Sequence, residues 1–359
     1  MILVARPEVE SLKAYKAPLE GRRGLLRLDF NENTMGPSPR VMAAIRAIPA
    51  EQYAIYPEYD GLRQAVVANL AGVGLSRPLQ PDQIGLFNGA DAAIHAIFHA
   101  YGDRGDTLLT TSPTFGYYTP CAQMQGMVIE ALPYRLPDFA FPLEELRVAM
   151  QDSPRILLIC NPNNPTGTRL APELILELAA SAPDTLVVVD ELYEAFTGDS
   201  ALPLVDFTAT PNLLILRSLA KTAGLAGLRI GFVIGAEPVV DRLARVTGPY
   251  DINSFAVTAA HAALADQPYV DGYVAEVLRA REWLVQQLQA AGVRHHAAGG
   301  NYLLIWPERP AEEVDQKLRQ EGILVRSMAG KPLIDGSLRV SLGTTEQMQR
   351  FLAAYLQAD

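Results

Sequence analysis

ILLICNPNNPTG, residues 156–167, opens on five side chains with no charge and closes on a turn of Asn, Pro, Thr and Gly. A run so short and apolar on both faces reads as a strand covered from both sides, the habit of a parallel sheet sandwiched between helices. Working outward, the rhythm recurs in TLLTT at 107–111, LVVV at 186–189, LLIL at 213–216 and IGFVIG at 230–235, with helix-like stretches between them. These runs predict an α/β large domain around a mostly parallel sheet. Residues 255–291 then read as helical with a break near Pro268, and strand-like YLLIW, ILVRS and LRVSL alternate with helix-like PAEEVDQKLRQE and TEQMQRFLAAYLQ. The change of rhythm predicts a smaller α+β domain. It divides the chain into an N-terminal arm with part of the small domain at 1–35, a large domain at 36–249 and a small C-terminal domain at 250–359.

A chain of 359 residues, 49% hydrophobic, can bury a substantial core. Its 40 acidic against 30 basic residues, a net charge of -10, argue against nucleic acid or an anionic membrane as partner and leave a small molecule as the expected ligand. MILVARPEVE acquires charge at Arg6, too early for a signal peptide or a membrane span. Cys121 and Cys160 form no CxxC pair and read as reduced structural thiols of a cytoplasmic protein. His295 and His296 lack partners at ligand spacing, so a solvent-facing strand entry is expected there and no metal.

In an open parallel sheet the ligand lies beyond the carboxyl ends of the strands. Here ILLIC is followed by NPNNPTG, LVVV by DELY, LLIL by RSLAK and TLLTT by SPTFGYY, so several chemically distinct groups reach one rim. Between 212 and 235 the chain carries Arg217, Lys221 and Arg229 and no acidic residue, which points to an anion from elsewhere among them. Lys221 can be a phosphate contact, a surface charge or an imine-forming amine; cationic neighbours Arg217 and Arg229 would lower its pKa and favour the last. Asp190, after four aliphatic residues, calls for a protonated ring nitrogen, and Tyr193 with Asn164 can hydrogen-bond a ring oxygen. Gly89 and Ala90 open a helix whose free N–H groups can hold phosphate, with Ser218 and Arg229 closing the cup and Phe115 offering a stacking face. An amine, a pyridinium carboxylate, a phosphate cup and a flat ring together describe pyridoxal 5'-phosphate.

With these residues the chain resembles the fold-type I pyridoxal phosphate enzymes and, within them, the histidinol-phosphate aminotransferase group of the class I/II aminotransferases. The segments that carry the resemblance run almost end to end: ARPEVESLKAY, LDFNENTMGPSP, YPEYDGLRQAV, NGADAAIHAI, SPTFGYY, CNPNNPTG, DELY, SLAKTAGLAGLRIGF, GNYLLI, ILVRSM and LRVSLGT. The resemblance implies a seven-stranded sheet and a homodimer with shared sites, working on an amino donor and a 2-oxo acid acceptor. It assigns Lys221 to the imine and the proton shift, Asp190 to the ring nitrogen, Asn164 and Tyr193 to the ring hydroxyl, and Phe115 to stacking. Ala90, Asp91, Ser218 and Arg229 match the phosphate site, Tyr56 a tyrosine that reaches the neighbouring subunit's phosphate, and Arg339 the arginine for the substrate's anionic group, with Arg326 and Tyr15 assisting. It implies cis bonds before Pro113 and Pro165. Phe115 replaces a more usual tyrosine, Ala220 a serine, Ala92 a glutamate and Thr34 a proline; these departures bear on substrate choice. Aromatic amino acid aminotransferases and decarboxylases of amino acid phosphates share the cofactor residues. A cofactor-sensing regulator would need a DNA-binding module, for which neither the length nor the acidic charge leaves room.

Overall fold

The computed structural model describes residues 3–13 and 20–359. Numbered along the chain, its strands are β1 Leu26–Arg27, β2 Ile84–Phe87, β3 Thr107–Ser112, β4 Val128–Pro133, β5 Ile156–Cys160, β6 Leu186–Asp190 and β7 Leu213–Ser218. They continue with β8 Gly231–Gly235, β9 Arg294–His296, β10 Tyr302–Trp306, β11 Ile323–Leu324, β12 Arg326–Ser327 and β13 Leu338–Ser341. A seven-stranded sheet runs β2-β8-β7-β6-β5-β3-β4, and within it only β8 is antiparallel to its neighbours. This is the expected α/β sheet. Every residue of β5, β6 and β8 is buried, as continuous apolar runs require when helices cover both faces. The sequence reading missed both edges: β2 is only four residues long, and β4 is exposed along much of its length and so shows no fully apolar run.

The remaining strands form a four-stranded antiparallel sheet, β12-β13-β10-β9, and a parallel pair in which β1 joins β11. Helices Gln267–Ala290, Ala311–Gln320 and Thr345–Ala358 bury Tyr273, Val314, Phe351 and Tyr355 in a second core. The last helix starts on a capping box in which Thr344 and Gln347 satisfy each other's backbone N–H groups. Helix Ser254–Leu264 instead buries Ala256, Val257 and Ala260 in the core of the large sheet. By where side chains are buried, the second unit therefore begins after Leu264, later than the expected border at 249/250. Asn212, whose amide holds three carbonyls, and the cis bonds before Pro113 and Pro165 shape the ends of the strands.

Two expectations are corrected here. His295 and His296 do not face solvent freely: they are half-buried in β9, His296 lies against Phe139, and its Nε2 is 2.8 Å from the Thr166 carbonyl, tying β9 to the NPNNPTG turn. Arg217 does not await an anion from outside the protein. Side chains alternate along β7, and Arg217 leaves the sheet on the side where Glu191 and Glu194 stand just past β6. Its Nη2 is 2.8 Å from Glu191 Oε2 and donates to Ser200 Oγ at 2.8 Å, while the Ala201 N–H and the Ser200 hydroxyl complete the Glu191 carboxylate. Both partners are almost wholly buried, so deleting one strands the other's charge. Arg217→Met should destabilise the protein by about 3–5 kcal/mol, read as a shift in the urea midpoint. The double variant Arg217→Met/Glu191→Leu should regain most of that; equal losses in single and double variants would show that the pair is not what the site depends on.

Candidate functional site

The carboxyl ends of β5, β6 and β7 deliver the site. Asp190, the last residue of β6, is buried, and its Oδ2 accepts the Tyr118 hydroxyl at 2.6 Å while Oδ1 accepts the Leu192 N–H at 3.2 Å. Burial pushes the carboxyl up to about 6, against the pull of the Tyr118 and Leu192 hydrogen bonds. The sequence reading left this carboxylate without a partner; Tyr118, fully buried, is one, though a neutral one. The GYY pair three residues past Phe115 was the available signal.

Lys221 follows β7, and its Nζ donates to the Phe30 carbonyl at 2.9 Å. Burial lowers the amine to about 8, Arg339 adds to that, and Arg229 contributes less, while Glu32 and Asp91 oppose it. The expected cationic neighbour Arg217 is thus replaced by Arg339, which reaches the lysine from the small sheet.

Helix Ala90–Tyr101 starts at Gly89 with φ 82° and has no side-chain cap, leaving the N–H groups of its first turn open. Arg229, itself left-handed at φ 57°, lies against that turn: a Cβ on Gly89 would come 2.6 Å from its Nη2, and a Cβ on Gly231 2.7 Å from the Ala90 nitrogen. The Arg229 guanidinium donates to Asp91 Oδ2 at 2.7 Å, so the Asp91 carboxylate serves to hold Arg229. Ser218 Oγ donates to the Ile230 carbonyl and accepts from the Ala220 N–H, both at 3.1 Å, which ties it to the turn beside the cup.

Beside Lys221 is a cavity of about 260 Å³ lined by Phe30, Phe115, Asn164, Tyr193, Arg326 and Arg339, and also by Lys331. The sequence reading did not single out Lys331. Among the described residues no carboxylate side chain is in this lining. Asn164 donates to the Tyr193 hydroxyl at 3.2 Å, and Arg339 donates to Asn164 Oδ1 at 2.7 Å and to the Asp29 carbonyl at 2.6 Å. Arg326 pairs in register with Arg339 across β12 and β13 and lies 5.8 Å from the Phe30 ring centroid. Tyr56 is not among these residues: it is 71% exposed and stacked at 4.1 Å on Tyr250. Tyr15 lies outside the described residues. A larger cavity, about 950 Å³ around Leu79, Val205 and Phe207, is at the opposite end of the strands, and its one basic side chain among the described residues, Arg77, is paired with Asp206.

The family model of aminotransferase class I and II matches residues 23–354. A histidinol-phosphate aminotransferase of Roseiflexus castenholzii is 35% identical over 97% of this chain and 96% of its own length. Histidinol-phosphate aminotransferase 1 of Pseudomonas fluorescens (strain Pf0-1) is 33% identical over 91% of each. A crystal structure of histidinol-phosphate aminotransferase from Sinorhizobium meliloti in complex with pyridoxal-5'-phosphate superposes with a TM-score of 0.87 at 23% identity, covering 100% of this chain and 98% of that one, and so shares the fold.

The Lys221 environment makes a checkable statement. In cofactor-free protein the pH profile of Lys221 arylation by trinitrobenzenesulfonate, followed by peptide mapping, should have its midpoint near 8. Removing a like charge favours the ammonium form, so Arg339→Gln should move the midpoint up; a midpoint that stays or falls would mean that Arg339 does not act on the amine.

Proposed function

The chain belongs to the class I and II aminotransferases, and we propose that it transfers the amino group of L-histidinol phosphate to 2-oxoglutarate, with pyridoxal 5'-phosphate as its cofactor. The observation that carries the substrate is the cavity beside Lys221. Arg326, Lys331 and Arg339 stand on its wall with no carboxylate among them, a donor set suited to a phosphate dianion and still able to grip a carboxylate in the return half-reaction.

The residues present fit the cofactor. Asp190 is a buried carboxylate whose hydrogen-bond partners among the described residues are neutral, and a cationic ring nitrogen would stabilise it. Asn164 and Tyr193 would hold the ring oxygen and Phe115 would flank the ring, while the N–H groups of Ala90 and Asp91, with Arg229 and Ser218, would hold the phosphate. When bound, the cofactor supplies an electron-withdrawing ring that stabilises the negative charge left at carbon when a proton departs. Lys221 supplies the base. With its amine lowered to about 8, a useful fraction is neutral near pH 7, and Nζ would take the proton from the donor's α-carbon and deliver it to a carbon of the bound cofactor, the shift that amino transfer needs. Arg339 fixes the substrate's anionic end relative to Lys221, and Phe30, whose carbonyl holds Nζ, places that amine. Both thiols are free and buried, which supports a reducing, cytoplasmic setting.

Two experiments follow. Losing one partner of a desolvated charge pair costs about 2–5 kcal/mol, so Arg326→Ala should lower kcat/KM for histidinol phosphate far more than for phenylalanine or tyrosine. A wild-type enzyme that uses the aromatic amino acids well and histidinol phosphate hardly at all would replace this substrate with the aromatic class.

We assign Tyr56 to the site of a second subunit in a symmetric dimer, since it is exposed and lies away from the cavity of its own chain. Mixed under conditions in which subunits exchange, inactive Lys221→Ala and Tyr56→Ala proteins should regain part of the activity, because one site per heterodimer has both residues. No recovery despite proven exchange would place Tyr56 in its own chain's site.

A further inference from the structure

We propose that Asn31 is a positioning residue that fixes the direction of the Tyr193 hydroxyl proton, aiming it into the cavity at the ring oxygen of the bound cofactor; the inference rests on the cofactor assignment above. Asn31 is buried and left-handed at φ 55°, a conformation that Asn tolerates better than most residues. Its backbone N–H donates to Ser341 Oγ at 2.8 Å. The Ser341 proton is thereby left for Asn31 Oδ1, 2.9 Å away. With Oδ1 committed as an acceptor, the face turned to Tyr193 is the amide Nδ2, which donates to the hydroxyl at 3.0 Å.

Asn164 is oriented by the same logic from the other side. Its Oδ1 receives Arg339 Nη1, a group that can only donate, so its Nδ2 is the atom 3.2 Å from the Tyr193 hydroxyl. Tyr193 therefore receives two amide donors on one oxygen, and neither can accept its proton. The remaining direction belongs to a side chain that lines the cavity with Lys221 and Phe115. Tyr193 is in this way prepared as a donor before any ligand arrives, and Asn31 supplies half of the preparation. Donation to the ring oxygen stabilises the form in which that oxygen carries uncompensated negative charge, and so lowers the pH at which the cofactor's visible band titrates.

The test is an absorbance-pH titration of holoenzyme in a double-mutant cycle. Asn31→Asp puts an acceptor where the amide donates, so the Tyr193 proton turns inward and the midpoint rises. The new charge also raises it directly, but that part persists in the Tyr193→Phe background. We expect the rise caused by Asn31→Asp to be about one pH unit larger with Tyr193 present than in Tyr193→Phe. Asn31→Gly, which suits the left-handed backbone and removes the amide, should give a smaller rise that vanishes in Tyr193→Phe, and it decides the matter if Asn31→Asp does not fold. Equal shifts in both backgrounds, or an Asn31→Gly holoenzyme that titrates as the wild type does, would overturn the inference while leaving the cofactor assignment intact. A wild-type protein that develops no such band with pyridoxal 5'-phosphate would overturn both.

Discussion

Asp190 holds a carboxyl group at the buried end of β6, where water cannot solvate it and the protein gives it only a phenol and a peptide N–H. An ionised carboxylate so placed is costly unless a cation meets it, and no arginine or lysine of the chain makes an ion pair with it among the described residues. The rest of the site is arranged around that deficit. Arg217 is drawn off to Glu191 and Glu194, Arg229 to Asp91, and Lys221 to a backbone carbonyl, which leaves Asp190 without an ion-pair partner among the described residues. On the function proposed above, a buried carboxylate kept in this state acts as a binding determinant for a protonated ring nitrogen rather than as half of a structural salt bridge.

The sheet was legible because burial from both sides leaves unbroken apolar runs; β5 and β6 could hardly be read otherwise. The edge β4 was not legible, since a half-exposed strand has no such run, and β2, though apolar, was passed over. Lys221, Asp190, Asn164, Tyr193 and Phe115 were singled out because each stands in or just after a strand-end motif; Asp190 ends β6, and the other four line one cavity. What sequence reasoning could not see is pairing across the fold. Arg217 looked unpaired because Glu191 is 26 residues away and on a neighbouring strand end. Tyr118 meets Asp190 across 72 residues, and Asn31 meets Tyr193 across 162. Only the register of the sheets converts such separations into hydrogen bonds.

The segment from Asp29 to Asn31 shows how the N-terminal part of the chain enters the site. Three successive residues each make one contact there: the Asp29 carbonyl accepts from Arg339, the Phe30 carbonyl from Lys221, and the Asn31 side chain donates to Tyr193. Arg22 pairs with the Asp29 carboxylate and lies 4.2 Å from the Phe30 ring centroid, and β1 is locked to β11, so the segment is held at both side chain and backbone. Extended chain delivers its carbonyls alternately to the two sides, and the left-handed turn at Asn31 then brings the next polar group back toward the site. A stretch with no regular structure of its own is thus held by hydrogen bonds to groups from both the large sheet and the small one.

The small sheet closes the circuit. Arg339 and Ser341 are two residues apart on β13, on the same face by the period of a strand, and each orients one of the two amides that meet at Tyr193. The residue proposed to hold the substrate's anion is thus one hydrogen bond from Asn164 and two from the Tyr193 hydroxyl. An anion that engages Arg339 must share its guanidinium with Asn164 Oδ1 and the Asp29 carbonyl, so the substrate end and the cofactor end of the site cannot be set independently. Any displacement of β13 relative to the large sheet would move both amides at once. Specificity for the anionic group and the electronics of the ring oxygen are, on this geometry, two readings of the position of one four-residue strand.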